Sequence, residues 1–244
     1  MLAIGLATLT VGATMLGGAT ALRSKDRFHL VLGLSAGLLL GLVAFDLIPE
    51  FSSNSTIKLG NIPSVYLAFV IGFLALHFLE QFAGSHEPAD SDFEHEHSHY
   101  GNIAGRLGAL AMAIHIFLDG VALGVAFKVS NKLGYAVFIA LLVHAFSDGL
   151  NTVAMLVKSN MWRKNALALL EIDALARIGG ASIGTYVAFS ENWISIYLAL
   201  FAGFLIYIAT SHILPEAHSR HPSRLTMATT LLGVLTMWLV ISFI

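Results

Sequence analysis

The sequence predicts an all-α integral membrane protein with eight transmembrane helices. Of the 244 residues, 57% are hydrophobic and only 11% are charged, whereas ordinary soluble domains carry about 25% charged residues. A helix needs about 20 apolar residues to cross the hydrocarbon core of a bilayer. Eight runs of about this length occur, at about 2–22, 28–48, 62–83, 103–127, 134–157, 165–189, 194–214 and 225–244.

The composition also excludes several classes of function. The net charge of −2 is too small to indicate nucleic acid or another polyionic partner. The absence of cysteine excludes disulfides and thiolate metal sites. The first apolar run lacks a basic segment ahead of it, so we expect a retained span rather than a cleaved signal peptide. The whole chain, 1–244, is therefore expected to be one transmembrane domain in a lipid bilayer.

The connections between the runs predict the orientation, because Lys and Arg concentrate in cytosolic loops. Connections 1–2, 3–4, 5–6 and 7–8 hold Arg23, Lys25, Arg27, Lys158, Arg163, Lys164, Arg220 and Arg224. The opposite side holds Lys58, Lys128 and Lys132. The first side is therefore predicted to be cytosolic. An even number of spans then makes both termini extracytosolic.

The connection between spans 3 and 4, residues 84–102, is predicted to be a cytosolic loop rich in histidine and acidic residues. Its stretch GSHEPADSDFEHEHSHY contains five acids and four histidines. The histidines are His86, His95, His97 and His99. This composition is typical of a disordered tract that captures metal ions. A solvated acidic linker is the alternative interpretation.

The pattern His-x-x-x-Asp-Gly occurs twice, at 115–120 and 144–149. Residues four apart share one face of a helix, so each histidine points the same way as its aspartate. His115 lies about 18 Å from the cytosolic end of span 4, and His144 lies about 15 Å from the outer end of span 5. In a hydrocarbon core about 30 Å thick, both histidines are near the midplane.

Charged groups at that depth cost about 2.5–3.5 kcal/mol each even on the mildest scale. A divalent cation held by two imidazoles and two carboxylates would offset this cost. The predicted ligands are His115, Asp119, His144 and Asp148. Two nitrogens and two oxygens suit Zn²⁺, and they also serve Fe²⁺ or Mn²⁺. The alternative is that each histidine only hydrogen-bonds its aspartate, but two matching pairs at one depth favour a metal site.

A second repeated motif predicts an inverted repeat. FDLIPEF (45–51) ends span 2 at the outer side, and SHILPEA (211–217) ends span 7 at the inner side. Spans 1–3 would then correspond to spans 6–8, and span 4 to span 5, which is a 3+2+3 bundle. Inverted repeats are typical of secondary transporters, whose substrate site lies at the midplane between the repeats.

Further ionisable residues near the span ends outline a pathway through this bundle. Asp46 and Glu50 are predicted at the outer mouth. The cytosolic mouth is predicted to hold His77, Glu80, His212, Glu216 and His218. Each of these residues is equally consistent with an ordinary polar group at the membrane interface.

Together these features resemble the ZIP (Zrt/Irt-like) divalent metal transporters of prokaryotic type. The resemblance covers essentially the whole chain. It implies transport of divalent transition-metal cations into the cytosol by elevator-like alternating access across a cell membrane, with zinc foremost and iron, manganese or cadmium as further cargoes. It also implies frequent assembly as a homodimer, no enzymatic activity and no prosthetic group.

The chain departs from the family pattern at a second metal site. ZIP motifs usually read His-Asn-x-Pro-Glu-Gly in span 4 and His/Gln-acid-x-Pro-Glu in span 5. The resemblance implies that the residues after the two histidines, together with a Glu in span 6, bind the second metal. The matching residues here are Ile116, Ala145 and, from DALARIGGA (173–181), Arg177. A guanidinium has no acceptor atom for a metal, so a single-metal site is predicted.

Arg177 has two interpretations. It could take the place of the second metal and offset the charge of Asp119 or Asp148, or it could pair with Asp173, one turn earlier on its own helix. Two other functions stay open. One is an intramembrane zinc-dependent hydrolase with a metal-activated water. The other is a non-transporting metal-sensing homologue whose path Arg177 blocks.

Overall fold

The structure of the chain is a computed structural model. It describes residues 1–21, 28–53, 57–83, 100–158, 162–219 and 224–243. The helices are α1 (Leu2–Ala21), α2 (Phe28–Leu42), α3 (Ile48–Ser53), α4 (Ser64–Ala83), α5 (Tyr100–Val129), α6 (Asn131–Lys158), α7 (Trp162–Tyr186), α8 (Glu191–Tyr207), α9 (Leu214–Ser219) and α10 (Arg224–Phe243). Within these ranges, π-helical turns at Val43–Leu47 and Ile208–Ile213 join α2 to α3 and α8 to α9.

Helices occupy all eight of the predicted apolar runs. Within the described residues, six helical stretches are long and apolar enough to cross a membrane. They are Leu2–Thr20, His29–Ser53, Met112–Val129, Asn131–Gly149, Glu191–His218 and Arg224–Phe243. In α4 the apolar stretch is shorter, Ser64–Leu79, and α7 contains several charged residues. The chain is therefore an all-α, multi-pass membrane protein.

The ends of spans 2 and 7 differ from the prediction. The Pro-Glu segments were expected to end these spans, but the helices continue to Ser53 and Ser219. Proline lacks an N–H donor, and its ring clashes with the carbonyl of the preceding turn. A π-helical turn directly precedes the residue before Pro49 and the residue before Pro215. The wider turn accommodates each proline and lets the helix proceed.

Two connections also differ from the prediction. A short antiparallel hairpin, β1 (Lys58–Leu59) and β2 (Ile62–Pro63), links α3 to α4 and was not expected. It turns at Gly60, whose φ of 64° favours glycine. Residues 100–102 were predicted as loop but belong to α5, because the helix begins at Tyr100. The rest of that predicted loop, with His86, His95, His97 and His99, lies outside the described residues.

The principal helix pairs within the described part of the chain are α1 with α6, α5 with α7, α2 with α10, and α4 with α8. The glycine of each repeated motif lies at one of these contacts. A Cβ atom on Gly120 would overlap the Arg177 carbonyl of α7, and one on Gly149 would overlap the Thr14 carbonyl of α1. Both glycines therefore permit close helix approach, and Gly120 places α7 directly against the first motif.

Candidate metal centre

The helices α5 and α6 are antiparallel neighbours connected through the single residue Ser130. His115 lies 14 residues before the end of α5 at Val129, and His144 lies 13 residues after the start of α6 at Asn131. Both histidines are therefore about 20 Å from the connection. This equal depth brings the two His-x-x-x-Asp motifs face to face.

The four motif side chains form a compact cluster, called here the His/Asp tetrad: His115, Asp119, His144 and Asp148. The two Nε2 atoms of the histidines are 3.2 Å apart. His115 Nε2 lies 3.6 Å from Asp119 Oδ2, and His144 Nε2 lies 3.4 Å from Asp148 Oδ1. One ligand atom from each residue lies within 4.8 Å of the other three.

These separations suit a tetrahedral cation. Zinc–nitrogen and zinc–oxygen bonds of about 2.0–2.2 Å place neighbouring ligand atoms of a tetrahedron about 3.3–3.6 Å apart. The three measured separations, 3.2, 3.4 and 3.6 Å, lie in or next to this interval. The remaining separations between ligand atoms are at most 4.8 Å.

Burial of the tetrad makes unpaired atoms costly. The exposed fraction is 9% for His115, 0% for Asp119, 2% for His144 and 5% for Asp148. Among the described residues, neither carboxylate oxygen of Asp119 nor Nδ1 of His144 has a hydrogen-bond partner. A buried polar atom without a partner costs about 1–3 kcal/mol. The His115–Asp119 separation of 3.6 Å is too long for a hydrogen bond, which counts against a purely packing role.

Arg177 of α7 contacts both carboxylates of the tetrad. Its side chain is only 1% exposed. Nη2 donates a hydrogen bond to Asp148 Oδ2 at 3.4 Å, and Nη1 lies 3.6 Å from Asp119 Oδ2. Asp173, the other predicted partner, is 4% exposed, and its Oδ2 has no hydrogen-bond partner in the described ranges. The guanidinium therefore bridges the two carboxylates in this arrangement.

Two tyrosines of α8 contribute contacts that the sequence analysis did not single out. The hydroxyl of Tyr197 donates a hydrogen bond to the Leu118 carbonyl at 2.7 Å, within the first motif. Tyr207 lies near two of the predicted pathway histidines. Its hydroxyl is 3.4 Å from His77 Nδ1, and its ring centroid is 5.7 Å from that of His212. Isolated tyrosines in apolar helices carry no motif, so no sequence signal marked them.

The predicted outer-mouth residues lie at the first π-helical turn and the helix after it. Asp46, in the turn, is 9% exposed, and its Oδ2 has no hydrogen-bond partner within the part of the chain that the structure describes. Lys132 at the start of α6 interacts electrostatically with Asp46. Glu50 lies one turn later, in α3, and is partly exposed. The two predicted outer-mouth residues, Asp46 and Glu50, therefore lie one turn apart, and Lys132 interacts with the first of them.

The predicted inner-mouth residues are distributed over α4, α9 and the second π-helical turn. Glu80 belongs to α4. His212 is exposed within the π-helical turn, whereas Glu216 and His218 are partly exposed in α9. His218 Nδ1 donates a hydrogen bond to the Leu214 carbonyl at 2.8 Å. His77 and His212 both lie next to the Tyr207 ring, with ring centroids 5.8 and 5.7 Å from it.

Comparisons with known proteins point to one family. The model of the ZIP zinc transporter family matches residues 84–241. The zinc transporter YKE4 of Saccharomyces cerevisiae is 29% identical over 231 residues, which cover 82% of this chain and 66% of that protein. The zinc transporter ZIP9 of Xenopus tropicalis is 29% identical over 190 residues, covering 69% of this chain and 62% of that protein.

A third relative shares a shorter segment. The zinc transporter ZIP10 of Mus musculus is 32% identical over 133 residues, which cover 54% of this chain and 16% of that protein. The chain thus spans less than two thirds of the length of each of these relatives. The family match nevertheless covers more than half of the chain and includes both motifs of the tetrad. The chain therefore belongs to the ZIP zinc transporter family, whose members are multi-pass membrane transporters rather than enzymes.

Proposed function

We propose that this chain transports a divalent transition-metal cation, zinc foremost, across the membrane into the cytosol through the His/Asp tetrad. The observation that carries the proposal is the buried cluster of two imidazoles and two carboxylates, whose ligand atoms lie within 4.8 Å of one another. Iron, manganese and cadmium are further cargoes, because mixed nitrogen and oxygen ligands accept several divalent metals. The metal is cargo, and the protein needs no prosthetic group.

A single cation per chain is the proposed stoichiometry. The residues after the two histidines, Ile116 and Ala145, are both fully buried and apolar. Neither side chain offers a metal ligand. Arg177 supplies a permanent positive charge to both carboxylates. A second cation at that place would meet the guanidinium and two apolar side chains, so Arg177 serves as the substitute for the second metal.

An inverted 3+2+3 repeat is the proposed basis of alternating access. The repeat relates spans 1–3 to spans 6–8, and span 4 to span 5. Under this relation α1 corresponds to α7 and α6 to α5, so the α1–α6 pair corresponds to the α7–α5 pair. In the same way, the α2–α10 pair corresponds to the α8–α4 pair. All four pairs occur among the principal contacts of the described residues. The π-helical turns also correspond, one in span 2 and one in span 7. Both termini are extracytosolic in this proposal.

The membrane and the assembly follow from the family resemblance. We place the chain in the cell membrane, with residues 84–99 on the cytosolic side as a capture tract for the released metal. A homodimer is the proposed assembly. The path runs from Asp46 and Glu50 through the tetrad toward Tyr207, whose ring contacts His77 and His212.

Influx of zinc into proteoliposomes tests the proposal directly. The full chain is reconstituted with a trapped zinc indicator, and wild type is compared with His115→Ala and Asp119→Ala. The matched controls are His29→Ala and Glu191→Ala, which remove an imidazole and a carboxylate outside the tetrad. We expect saturable influx that both tetrad substitutions abolish and both controls retain.

One observation favours a second candidate function. The Arg177 guanidinium contacts both tetrad carboxylates, as a non-transporting metal sensor with a blocked path would require. In this case zinc would bind to the tetrad of well-folded protein but would not cross the membrane, and iron, manganese and cadmium would behave in the same way. That result would favour the sensor over the transporter. Absence of both binding and influx would remove both candidates.

A further inference from the structure

The ionised groups around the tetrad carry a net negative charge that one divalent cation would offset. Among the described residues, the charged groups at this place are the carboxylates of Asp119, Asp148 and Asp173 and the guanidinium of Arg177. With both imidazoles neutral, three negative charges and one positive charge give a formal sum of −2. A net charge is costly in the low-dielectric interior of a membrane protein. One divalent cation brings the sum to zero, and it does so only if Asp173 is counted.

Asp173 is placed to interact with Arg177. The two residues are four positions apart on α7, so they share one face of the helix. Asp173 is 96% buried, since 4% of it is exposed, and its Oδ2 has no hydrogen-bond partner within the described residues. It interacts electrostatically with Asp148 and with Arg177. A buried acceptor thus lies one helical turn from a guanidinium whose Nη2 is hydrogen-bonded to Asp148 instead.

The guanidinium and the His115 imidazole approach the same oxygen atom of Asp119. Nη1 of Arg177 lies 3.6 Å from Asp119 Oδ2, and that oxygen is also the one 3.6 Å from His115 Nε2. A cation held between His115 and Asp119 would therefore sit beside the guanidinium and repel it. The long Arg side chain can rotate, and among the described residues Asp173 is a buried acceptor on α7 that lacks a hydrogen-bond partner.

We propose that Asp173 receives the Arg177 guanidinium when a divalent cation occupies the tetrad. This inference rests on the proposed function of the tetrad as the cation site. Asp173 is then a positioning residue that never touches the metal. It lowers the cost of cation binding by accepting the displaced Arg177 and by completing the charge balance.

Zinc affinity tests this role in a double-mutant cycle, because a pairwise effect appears as non-additivity. The full chain in lipid nanodiscs is titrated with Zn²⁺ against a competing chromophoric chelator. The proteins are wild type, Asp173→Asn, Arg177→Gln and the double variant. Glu171→Gln is the matched control, since it removes an exposed acid two residues from Asp173.

We expect Asp173→Asn to weaken zinc binding about tenfold or more in the wild-type background, because the displaced guanidinium loses its acceptor. In the Arg177→Gln background the same change should alter the affinity less than about threefold. Glu171→Gln should leave the affinity unchanged. Equal fold-changes in both backgrounds, or no effect in either, would overturn the inference.

A structure of the wild-type chain with bound Cd²⁺ supplies a test that needs no variant. The expected arrangement has the guanidinium within hydrogen-bond distance of Asp173 and withdrawn from Asp119. A guanidinium that still bridges Asp119 and Asp148 beside the bound ion contradicts the inference. Failure of the tetrad itself is distinguishable, since wild-type zinc binding would then be absent or unaffected by His115→Ala.

Discussion

The contact between Gly120 and the backbone of α7 leads to a prediction with a worked magnitude. A Cβ atom at Gly120 would overlap the Arg177 carbonyl oxygen and would lie 2.9 Å from the Ala181 nitrogen. Favourable contacts between carbon and other heavy atoms begin at about 3.5 Å. The substitution Gly120→Ala must therefore push α5 and α7 apart by roughly 0.6–1.3 Å.

The expected cost is that of an overpacked interior, about 1–3 kcal/mol. For a chain of this size, each kcal/mol corresponds to a shift in Tm of about 2–4 °C, so Gly120→Ala should lower Tm by about 2–12 °C. The same displacement lengthens the contact between Arg177 Nη1 and Asp119 Oδ2, now 3.6 Å. Zinc affinity should therefore change together with Tm.

The assay is thermal unfolding of the purified chain in detergent, followed by intrinsic fluorescence, with zinc titration of the same samples. Gly179→Ala is the matched control, because a Cβ atom at this glycine of α7 would meet no described atom within 4 Å. The two variants have the same chemical change in neighbouring helices. Equal Tm values for Gly120→Ala and Gly179→Ala would refute the reasoning about the α5–α7 contact.

Three further predictions concern the site. The triple substitution Ile116→Asn, Ala145→Asp and Arg177→Glu should raise the zinc stoichiometry in calorimetric titration from one to two per chain; a value that stays at one would contradict the vacant second site. Tyr197→Phe should lower the free energy of unfolding by about 0.5–1.5 kcal/mol, because a hydrogen bond to α5 is lost, and unchanged denaturation would show that this bond is not needed. Zinc at about 100 times its Kd should increase the free energy of unfolding of wild type by about 2.7 kcal/mol, and chelation should remove this gain. The variant His144→Ala should show no gain. If the variant is stabilised as much as wild type, zinc binds somewhere other than the tetrad.

The fold was predictable where its cause is local. Apolar run length decides whether a segment can cross a bilayer, and helices occupy all eight predicted runs. The π-helical turns before Pro49 and Pro215 were not predicted, because a proline can end a helix or be accommodated by such a turn. Which of the two occurs depends on neighbouring helices, and neither outcome is encoded in the Pro-Glu motif.

The candidate site was also predictable where its cause is local. The spacing of four residues places His115 beside Asp119 and His144 beside Asp148 in any helix. The short connection between α5 and α6, together with equal depth, predicts that the two pairs meet, and the structure brings them together. Their role as metal ligands stays a prediction that the influx assay tests. Tyr197 carried no signal, because its hydrogen bond partner is a backbone carbonyl 79 residues away.

By itself, the sequence determined the membrane class, the helical runs and the pairing of each histidine with its aspartate, because hydropathy and helical periodicity act over neighbouring residues. Only the tertiary structure decided between the two partners of Arg177, since both were compatible with the sequence. The decision came from α7, which packs against α5 through Gly120 and carries the guanidinium to Asp119 and Asp148. Backbone contact between distant helices is a property of the packed bundle, and no local pattern specifies it.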